Sequence, residues 1–325
     1  MPAKALGAPV LDFMKQLALH AQDDDLLAEQ QGVGVWELLA DHLRWNRAKE
    51  SAERFGGYLM EVDDDYTEWH GAYATGRGNW QEAMPNPEAD MGSFVSSVEL
   101  HRQAAREASA VIVSTDYLAE RYAPLNDNVH VCRNAVDPDD WPAIPERDET
   151  FRIVYSGSIR ADDLMLIRRA MEWAGAQGGV EAIVLGCSQR WLNWRNVKAI
   201  PWLDNMSVYR ATLVGAKPDL GLRPVTTSEF AKSKSDLKIM EYAMAGAASA
   251  VTPHTPYLGW REDENVLFPY SAKDWEQTVK WAVKHQDQVR EMAAATREKV
   301  LATRTISHVL PEWQTAIDSV SVVAA

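Results

Sequence analysis

The segment KSKSDLKIMEYAMAG combines lysines and a glutamate in an arrangement that suits a phosphorylated ligand. Lys234 stands just before a predicted helix over residues 235–246, and Lys238 and Glu241 are three residues apart, on one face of that helix. Helix N-terminal N–H groups with nearby lysines, and Ser235 at that end, favour a diphosphate, while the carboxylate can accept hydrogen bonds from ribose hydroxyls. A surface Lys–Glu pair behind a serine cap has the same pattern, and the segment alone does not separate the two.

A second group of candidate ligand contacts follows the predicted strand FRIVYS. In the loop SGSIR, Gly157 permits close backbone approach, Ser158 offers a hydroxyl donor and Arg160 supplies a cation. Arg223 stands at the end of a later predicted strand, in PDLGLRPV. Ligands of open α/β sheets bind at the carboxyl ends of the strands, so we expect these residues at the same sheet edge as the lysine–glutamate segment. A glycine turn from strand to helix is also common without any ligand.

Alternating strands and helices must position these residues. From residue 151 on, apolar runs rich in β-branched residues alternate with segments of helical period, which predicts a parallel sheet covered by helices. The predicted strands are FRIVYS, EAIVLG, NVKAI, a strand ending near Leu222, and ASAVT. Helices are predicted over residues 205–213, 235–246 and 272–303, and a last one carries Val309, Trp313 and Ile317.

The first part of the chain is less regular. Helices are predicted over residues 10–21 and 35–55, followed by the strands GYLMEV, SAVIVS and NVHVC, with a Gly- and Pro-containing loop over 71–92. In the helix over 35–55, the residues predicted to face inward are Trp36, Leu39, Leu43 and Ala48, which leaves Trp45 for a second contact. A parallel sheet of only three strands has unpaired edges, so we expect the N-terminal helices, a second copy or a partner subunit to cover one.

Composition excludes some partners. The net charge of -14 and the pI near 5.0 disfavour a nucleic acid or an anionic membrane surface as the main partner, although local cations still permit a phosphorylated small molecule. Two cysteines, Cys132 and Cys187, are too few for a disulfide framework and indicate a reducing compartment. The N-terminus has no long apolar stretch. We therefore expect a soluble, cytoplasmic protein without a transmembrane segment.

Several blocks in fixed order resemble a known family. The blocks are SGSIRADDL, VKAIPWLDNMSVYR, PDLGLRPV, KSKSDLKIMEYAMAGAASAVT and ENVLF. Together they resemble the donor-binding domain of GT-B glycosyltransferases, particularly the group one or family four set, over most of residues 110–320. The resemblance implies an α/β fold of two Rossmann-like domains, with a reduced N-terminal one. It also implies transfer of a sugar from a nucleoside-diphosphate sugar to an unidentified acceptor (glycan, protein or small molecule), without a cofactor.

The resemblance assigns roles to single residues. Glu241 matches the family glutamate that holds the ribose, and Lys234 and Lys238 match basic positions near the diphosphate. Trp202 lies where the family backbone meets the nucleobase. Many members carry a further glutamate near the transferred sugar, where this chain has Ser233. That difference favours a second hypothesis, a catalytically weak sugar-nucleotide-binding or assembly subunit.

The acidic run EVDDD follows the predicted strand GYLMEV. In a GT-B enzyme Asp63 or Asp64 would act as general base or stabilise an oxocarbenium-like transition state. In a metal-dependent GT-A enzyme Asp63 and Asp65 would hold a divalent cation, but the GT-B blocks argue against a metal. A solvated strand end is the third interpretation. His70 and His101 are alternative bases without a spacing argument in their favour.

The predicted domain boundaries follow the polar, proline-containing segment 134–150, which we interpret as an interdomain linker. Residues 1–147 form the reduced, acceptor-side N-terminal domain with this linker. Residues 148–305 form the nucleotide-sugar-binding domain. The last helix, in 306–325, is expected to pack back toward the N-terminal domain.

Overall fold

The computed structural model describes residues 34–37, 42–67, 91–157, 161–190, 192–226, 228–261 and 264–321. The helix predicted over residues 10–21, nearly all of the predicted 71–92 loop and His70 lie outside these ranges. The described residues form two compact units. The first contains those up to Arg133 and those from Ile306 on, and the second is drawn from Asn134–Thr305.

The first unit contains a parallel sheet in the order β1-β2-β3-β4. Its strands are β1 (Gly34–Glu37), β2 (Tyr58–Val62), β3 (Ala110–Val113) and β4 (Val129–Val131). Its helices are α1 (His42–Phe55), α2 (Met91–Glu107), α3 (Asp116–Tyr122) and, from the end of the chain, α10 (Ile306–Ser321). β2 and β3 are the central strands and their apolar residues are buried, as expected for a parallel sheet covered on both faces. α10 contacts β3 and β4.

Two predictions for this unit are wrong. The segment 35–55 is not one helix, since Gly34–Glu37 pairs in parallel with β2 and the helix begins only at His42. The sheet therefore has four strands in the described residues, not three. A four-residue strand is too short to show its period, so Trp36 also fitted a helical stripe. Trp45 is not left for a second contact, because it is 6% exposed and packs in the core of this unit. Whether another chain covers a sheet edge stays a prediction.

The second unit contains a six-stranded parallel sheet in the order β10-β9-β8-β5-β6-β7. The strands are β5 (Phe151–Ser156), β6 (Val180–Leu185), β7 (Val197–Ile200), β8 (Leu220–Arg223), β9 (Ala248–Val251) and β10 (Val266–Leu267). The helices are α4 (Ala161–Gly175), α5 (Met206–Gly215), α6 (Glu229–Ser233), α7 (Leu237–Met244), α8 (Ala272–Lys284) and α9 (Gln286–Thr303). Both units are thus α/β and Rossmann-like, and the strands predicted from residue 151 on are confirmed.

The connections of this sheet create a topological switch point. From β5 the chain continues outward through β6 and β7, then returns to β8 on the other side of β5 and continues through β9 to β10. Loops that follow the neighbouring strands β5 and β8 therefore diverge and leave a crevice at their carboxyl ends, where open α/β sheets bind ligands. None of the helices in the described ranges combines the length and the apolar character that a membrane crossing needs.

Candidate functional site

Three predicted residues meet at the switch point between β5 and β8. Gly157 directly follows β5 and has a φ of 148°, which favours glycine. A Cβ atom at Gly157 would lie 3.7 Å from Nη1 of Arg223 and 3.9 Å from Cε of Lys238. The crevice thus brings an accessible stretch of backbone against two cationic side chains, a combination that suits a phosphate group.

Lys238 and Glu241 form a hydrogen-bonded cluster with Tyr209 of α5. The Lys238 ammonium contacts Oε2 of Glu241 and donates to Oη of Tyr209 over 3.0 Å. Tyr209 donates to the same glutamate oxygen over 2.8 Å. Burial and the neighbouring Glu241 carboxylate raise the pKa of Tyr209 well above its ordinary value, so it remains a neutral donor. The cluster holds the Glu241 carboxylate in a fixed direction.

Tyr242 ties α7 to the two strands that border the crevice. Its hydroxyl donates to the carbonyl of Leu222 over 2.9 Å and accepts from the backbone N–H of Ser156 over 3.1 Å. The ring lies against Gly221, where a Cβ atom would come within 2.3 Å of it. Ser156 also bonds Tyr209 over 3.1 Å. These contacts fix the helix that carries Lys238 and Glu241 relative to the ends of β5 and β8.

Arg223 at the end of β8 is 9% exposed. Burial alone would lower the pKa of its guanidinium, but Tyr257, Tyr155 and the carboxylate of Asp163 raise it, and the pKa ends above its ordinary value. The guanidinium therefore stays charged at the carboxyl edge of the sheet. It supplies positive charge for a ligand within a chain of strongly negative net charge.

The segment before α7 is held by a bidentate ion pair. Arg304 donates to both carboxylate oxygens of Asp236, over 2.5 Å and 2.7 Å, and Trp260 donates to Oδ2 over 2.8 Å. Arg304 also donates to the carbonyl of Asn134 over 2.9 Å. The Asn134 amide in turn donates to the hydroxyl of Ser235 over 2.7 Å. The structure therefore engages Ser235, a predicted donor-binding residue, with a neighbour in the same unit.

The remaining predicted donor-binding residues are Lys234, Trp202, Ser158 and Arg160. The Lys234 ammonium lies 4.5 Å from the centre of the Phe230 ring. Trp202 follows β7 at a carboxyl end of the sheet and is 55% exposed. Ser158 and Arg160 lie outside the described residues. The structure thus brings together Gly157, Arg223, Lys238 and Glu241.

The acidic run lies in the first unit, after β2. Asp63 is exposed, whereas Asp64 is buried and Tyr66 donates to it over 3.4 Å. Asp65 is fully buried, pairs with Arg121 over 2.9 Å and accepts hydrogen bonds from Thr67. Its carboxylate is therefore engaged within the fold.

His101 is an alternative base in this unit, and a metal ion held by acidic residues is the alternative to a metal-free site. His101 is fully buried and its Nε2 bonds the Tyr122 hydroxyl at 2.6 Å, so its ring serves the core of this unit. In the part of the chain that the structure describes, no group of three or more His, Cys, Asp or Glu residues is placed to hold a metal ion.

Sequence reasoning missed four polar residues around the crevice. These are Ser156, Asp163, Tyr209 and His254. Tyr209 and Glu241 are 32 residues apart in the sequence and meet only in the folded protein. No local sequence pattern therefore links them. Asp163 lies in the first turn of α4, where acidic residues are common at any helix start, so its position gave no functional signal.

The comparisons with known proteins agree with this fold. Residues 160–315 match a family described as glycosyl transferase-like. No curated protein matches the chain. Among solved structures it is similar to TarM of S. aureus, with 12% identity over 80% of this chain and 50% of that chain and a TM-score of 0.57. The chain thus spans about half the length of TarM.

Two other structures cover more of their own length. The Anabaena protein HepE, in complex with UDP and glucose, is 11% identical over 86% of this chain and 76% of that chain, with a TM-score of 0.60. A glycosyltransferase from Rickettsia africae is 10% identical over 98% of this chain and 91% of that chain, with a TM-score of 0.61. The chain thus has the GT-B type of α/β fold, and its residues 160–315 match the glycosyl transferase-like family.

Proposed function

We propose that this protein is a glycosyltransferase that moves a sugar from a nucleoside-diphosphate sugar to an acceptor. The observation that carries the proposal is the meeting of Gly157, Arg223 and Lys238 at the switch point, with Glu241 bonded to Lys238. Structures of similar fold support it, since HepE is described in complex with UDP and glucose and an E. coli protein with UDP-2-fluoro glucose.

Each residue of the cluster has a role in this proposal. The diphosphate lies against the Gly157 backbone, where Arg223 and Lys238 meet its charge. The Glu241 carboxylate accepts hydrogen bonds from the ribose hydroxyls, and Trp202, exposed at the end of β7, offers a ring face to the base. Ser158 and Arg160, which lie outside the described residues, stay predicted donor-binding residues.

The reaction exchanges one bond at the anomeric carbon. The bond from this carbon to the diphosphate oxygen breaks, and a bond to the acceptor hydroxyl oxygen forms. The acceptor proton passes to a carboxylate, for which Asp63 and Asp64 are the candidates. The nucleoside diphosphate leaves with its electron pair, and the cations at the switch point stabilise it. We propose that these cations replace a metal ion and that no cofactor takes part.

A thermal-shift screen with UDP, GDP, ADP and CMP tests the proposal. One nucleoside diphosphate should raise the melting temperature, because a ligand at 100 times its Kd stabilises the fold by about 2.7 kcal/mol. The sugar nucleotides of that base are then tested for turnover. Absence of any shift at millimolar nucleotide would contradict a donor site.

One observation favours a second candidate, a sugar-nucleotide-binding or assembly subunit with little transfer activity. Ser233 takes the position of the sugar-side glutamate, it is fully buried, and its hydroxyl donates to the Phe230 carbonyl over 2.7 Å. A chain of this second kind would bind the sugar nucleotide but release no diphosphate from it, with or without added acceptors.

A further inference from the structure

Three buried polar atoms near the switch point have no hydrogen-bond partner within the described part of the chain. They are Oδ2 of Asp163, Nε of Arg223 and Nε2 of His254. Asp163 is fully buried, and Arg223 and His254 are 9% and 7% exposed. A buried polar atom left unpaired costs roughly 1–3 kcal/mol, so three of them together call for a binding partner.

The three residues lie at the ends of neighbouring elements. The Asp163 carboxylate accepts through Oδ1 from the backbone N–H and the hydroxyl of Thr226, at 2.6 Å and 2.8 Å, just beyond β8. Next to it, Val225 donates to the hydroxyl of Thr252 over 2.9 Å. The Thr252 carbonyl then accepts from the backbone N–H of His254 over 2.7 Å. This chain of contacts joins the start of α4 to the carboxyl ends of β8 and β9.

The cluster continues directly into the proposed phosphate site. Nη1 of Arg223 is the atom 3.7 Å from the Cβ position of Gly157, while Nε of the same guanidinium is unpartnered among the described residues. The Asp163 carboxylate is bonded to Thr226 just beyond the strand that ends at Arg223, and the same run of contacts leads on to His254. A ligand group joined to a phosphate beside Gly157 therefore meets Asp163 and His254 next.

The donors and acceptors of the cluster identify the chemistry of that group. Nδ1 of His254 accepts from the backbone N–H of Thr255 over 2.8 Å, so the proton of the neutral ring is on Nε2, which is a donor. Oδ2 of Asp163 is an acceptor. A carboxylate disfavours a second phosphate at this position, whereas hydroxyl groups both donate and accept. The pair is complementary to a polyol.

We propose that Asp163 and His254 bind hydroxyl groups of the transferred sugar. The proposal rests on the donor site proposed above and adds its sugar side. It also supplies polar contacts that Ser233, buried and bonded to Phe230, does not offer. In this arrangement Arg223 lies between the nucleotide and the sugar of the donor, and its guanidinium contacts the phosphate group that carries the sugar.

Two substitutions remove the proposed contacts and keep the local structure. In Asp163→Asn the amide oxygen still accepts from Thr226, but an N–H₂ group replaces the acceptor Oδ2. In His254→Asn the amide oxygen still accepts from Thr255, but the shorter side chain no longer presents an N–H group at the position of Nε2. His254→Gln is the matched control, since its longer side chain restores a donor there.

Calorimetry with the full chain compares the affinity for UDP with the affinity for UDP-glucose. If the thermal-shift screen identifies another base, the diphosphate and the sugar nucleotide of that base are used instead. For Asp163→Asn and His254→Asn we expect the affinity for the sugar nucleotide to fall about tenfold or more, while the affinity for the diphosphate changes less than about twofold. His254→Gln should recover part of the loss. Circular dichroism and the diphosphate affinity report whether each variant is folded, and either variant alone suffices for the test.

The outcomes separate the two proposals. If the wild-type chain binds neither ligand, the donor site itself is refuted, and the sugar side with it. If the wild type binds both and each variant loses affinity for both equally, or for neither, the donor site stands and the sugar side is refuted. Only a selective loss for the sugar nucleotide supports the roles of Asp163 and His254.

Discussion

The ammonium group of Lys238 contacts the carboxylate of Glu241 one turn further along α7, and Tyr209 bonds both of them. The side chain of Glu241 is 6% exposed and that of Lys238 is 20% exposed. A pair of this kind differs from an ordinary surface pair, because burial strengthens its electrostatic interaction and the tyrosine limits its motion. The pair therefore suits a ligand whose diphosphate contacts Lys238 and whose neighbouring hydroxyls donate to Glu241.

Glu241→Ala should weaken nucleotide binding by about 1–3 kcal/mol, because the carboxylate loses its hydrogen bonds to the ribose. Lys238→Ala and Lys234→Ala should weaken binding of the nucleoside diphosphate more than that of the nucleoside, since their contacts are to the phosphates. Calorimetry with both ligands measures the difference.

The chain offers a matched control for this test. Glu229 and Lys232 form another Glu–Lys pair three residues apart, with side chains 64% and 36% exposed. Glu229→Ala should leave nucleotide affinity unchanged. If Glu241→Ala behaves like Glu229→Ala while the wild type binds nucleotide, Glu241 is not the ribose contact.

Transfer activity should survive EDTA, because Arg223, Lys238 and the backbone at Gly157 meet the diphosphate charge. The measurement is the rate of diphosphate release with and without chelator, followed by added manganese. Loss of activity that manganese restores would show that the reaction requires a metal ion, with Asp63 as a candidate ligand. A rate that is equal under all three conditions supports a site in which Arg223 and Lys238, and no metal ion, neutralise the diphosphate charge.

Asp63→Asn and Asp64→Asn should distinguish the two candidate bases. An asparagine in place of the base cannot take the proton from the hydroxyl of the acceptor. The turnover of that variant should therefore fall by about 10²–10⁴-fold. Nucleotide affinity should stay normal in both variants, because the two residues lie in the other unit from Lys238 and Glu241. If neither variant loses turnover, neither Asp63 nor Asp64 is the base.

The sequence predicted the second unit well because its signals are local. Its strands are buried apolar runs, so β5 could be predicted from FRIVYS alone, and the helix carrying Lys238 and Glu241 follows from the spacing of its apolar residues. β1 escaped prediction because four residues show no period. Asp163 and His254 escaped it for another reason. Their proximity depends on which strands are neighbours, and the order β9-β8-β5 is not visible along the chain.

Arg304→Ala should lower the free energy of unfolding by about 3 kcal/mol, because it leaves the carboxylate of Asp236 buried without its cation. The carbonyl of Asn134 also loses its donor. Urea unfolding followed by circular dichroism gives the value. Arg106→Ala is the control, since its pair with Glu99 is exposed and is expected to contribute less than about 1 kcal/mol. Equal effects of the two substitutions would show that Arg304 does not anchor the segment before α7.

The stability of the protein should decrease as the pH falls from about 7.5 toward 5.5. Burial lowers the pKa of His130 and of His254 below the ordinary value of 6.5, and for His254 the charge of Lys232 lowers it further. A histidine whose pKa is lower in the folded state is protonated first in the unfolded chain. Its stabilising contribution is therefore complete above about pH 6.5 and is lost as the pH falls through the lowered folded value.

Urea unfolding at a series of pH values measures this dependence, and carboxylates add little to it in this range because their ordinary pKa values are near 4. His254→Asn and His130→Asn should each reduce the slope, and the double variant should reduce it most, because the two residues lie in different units and act independently. A stability that rises on acidification, or a slope that neither substitution changes, would show that these rings are not held neutral by burial.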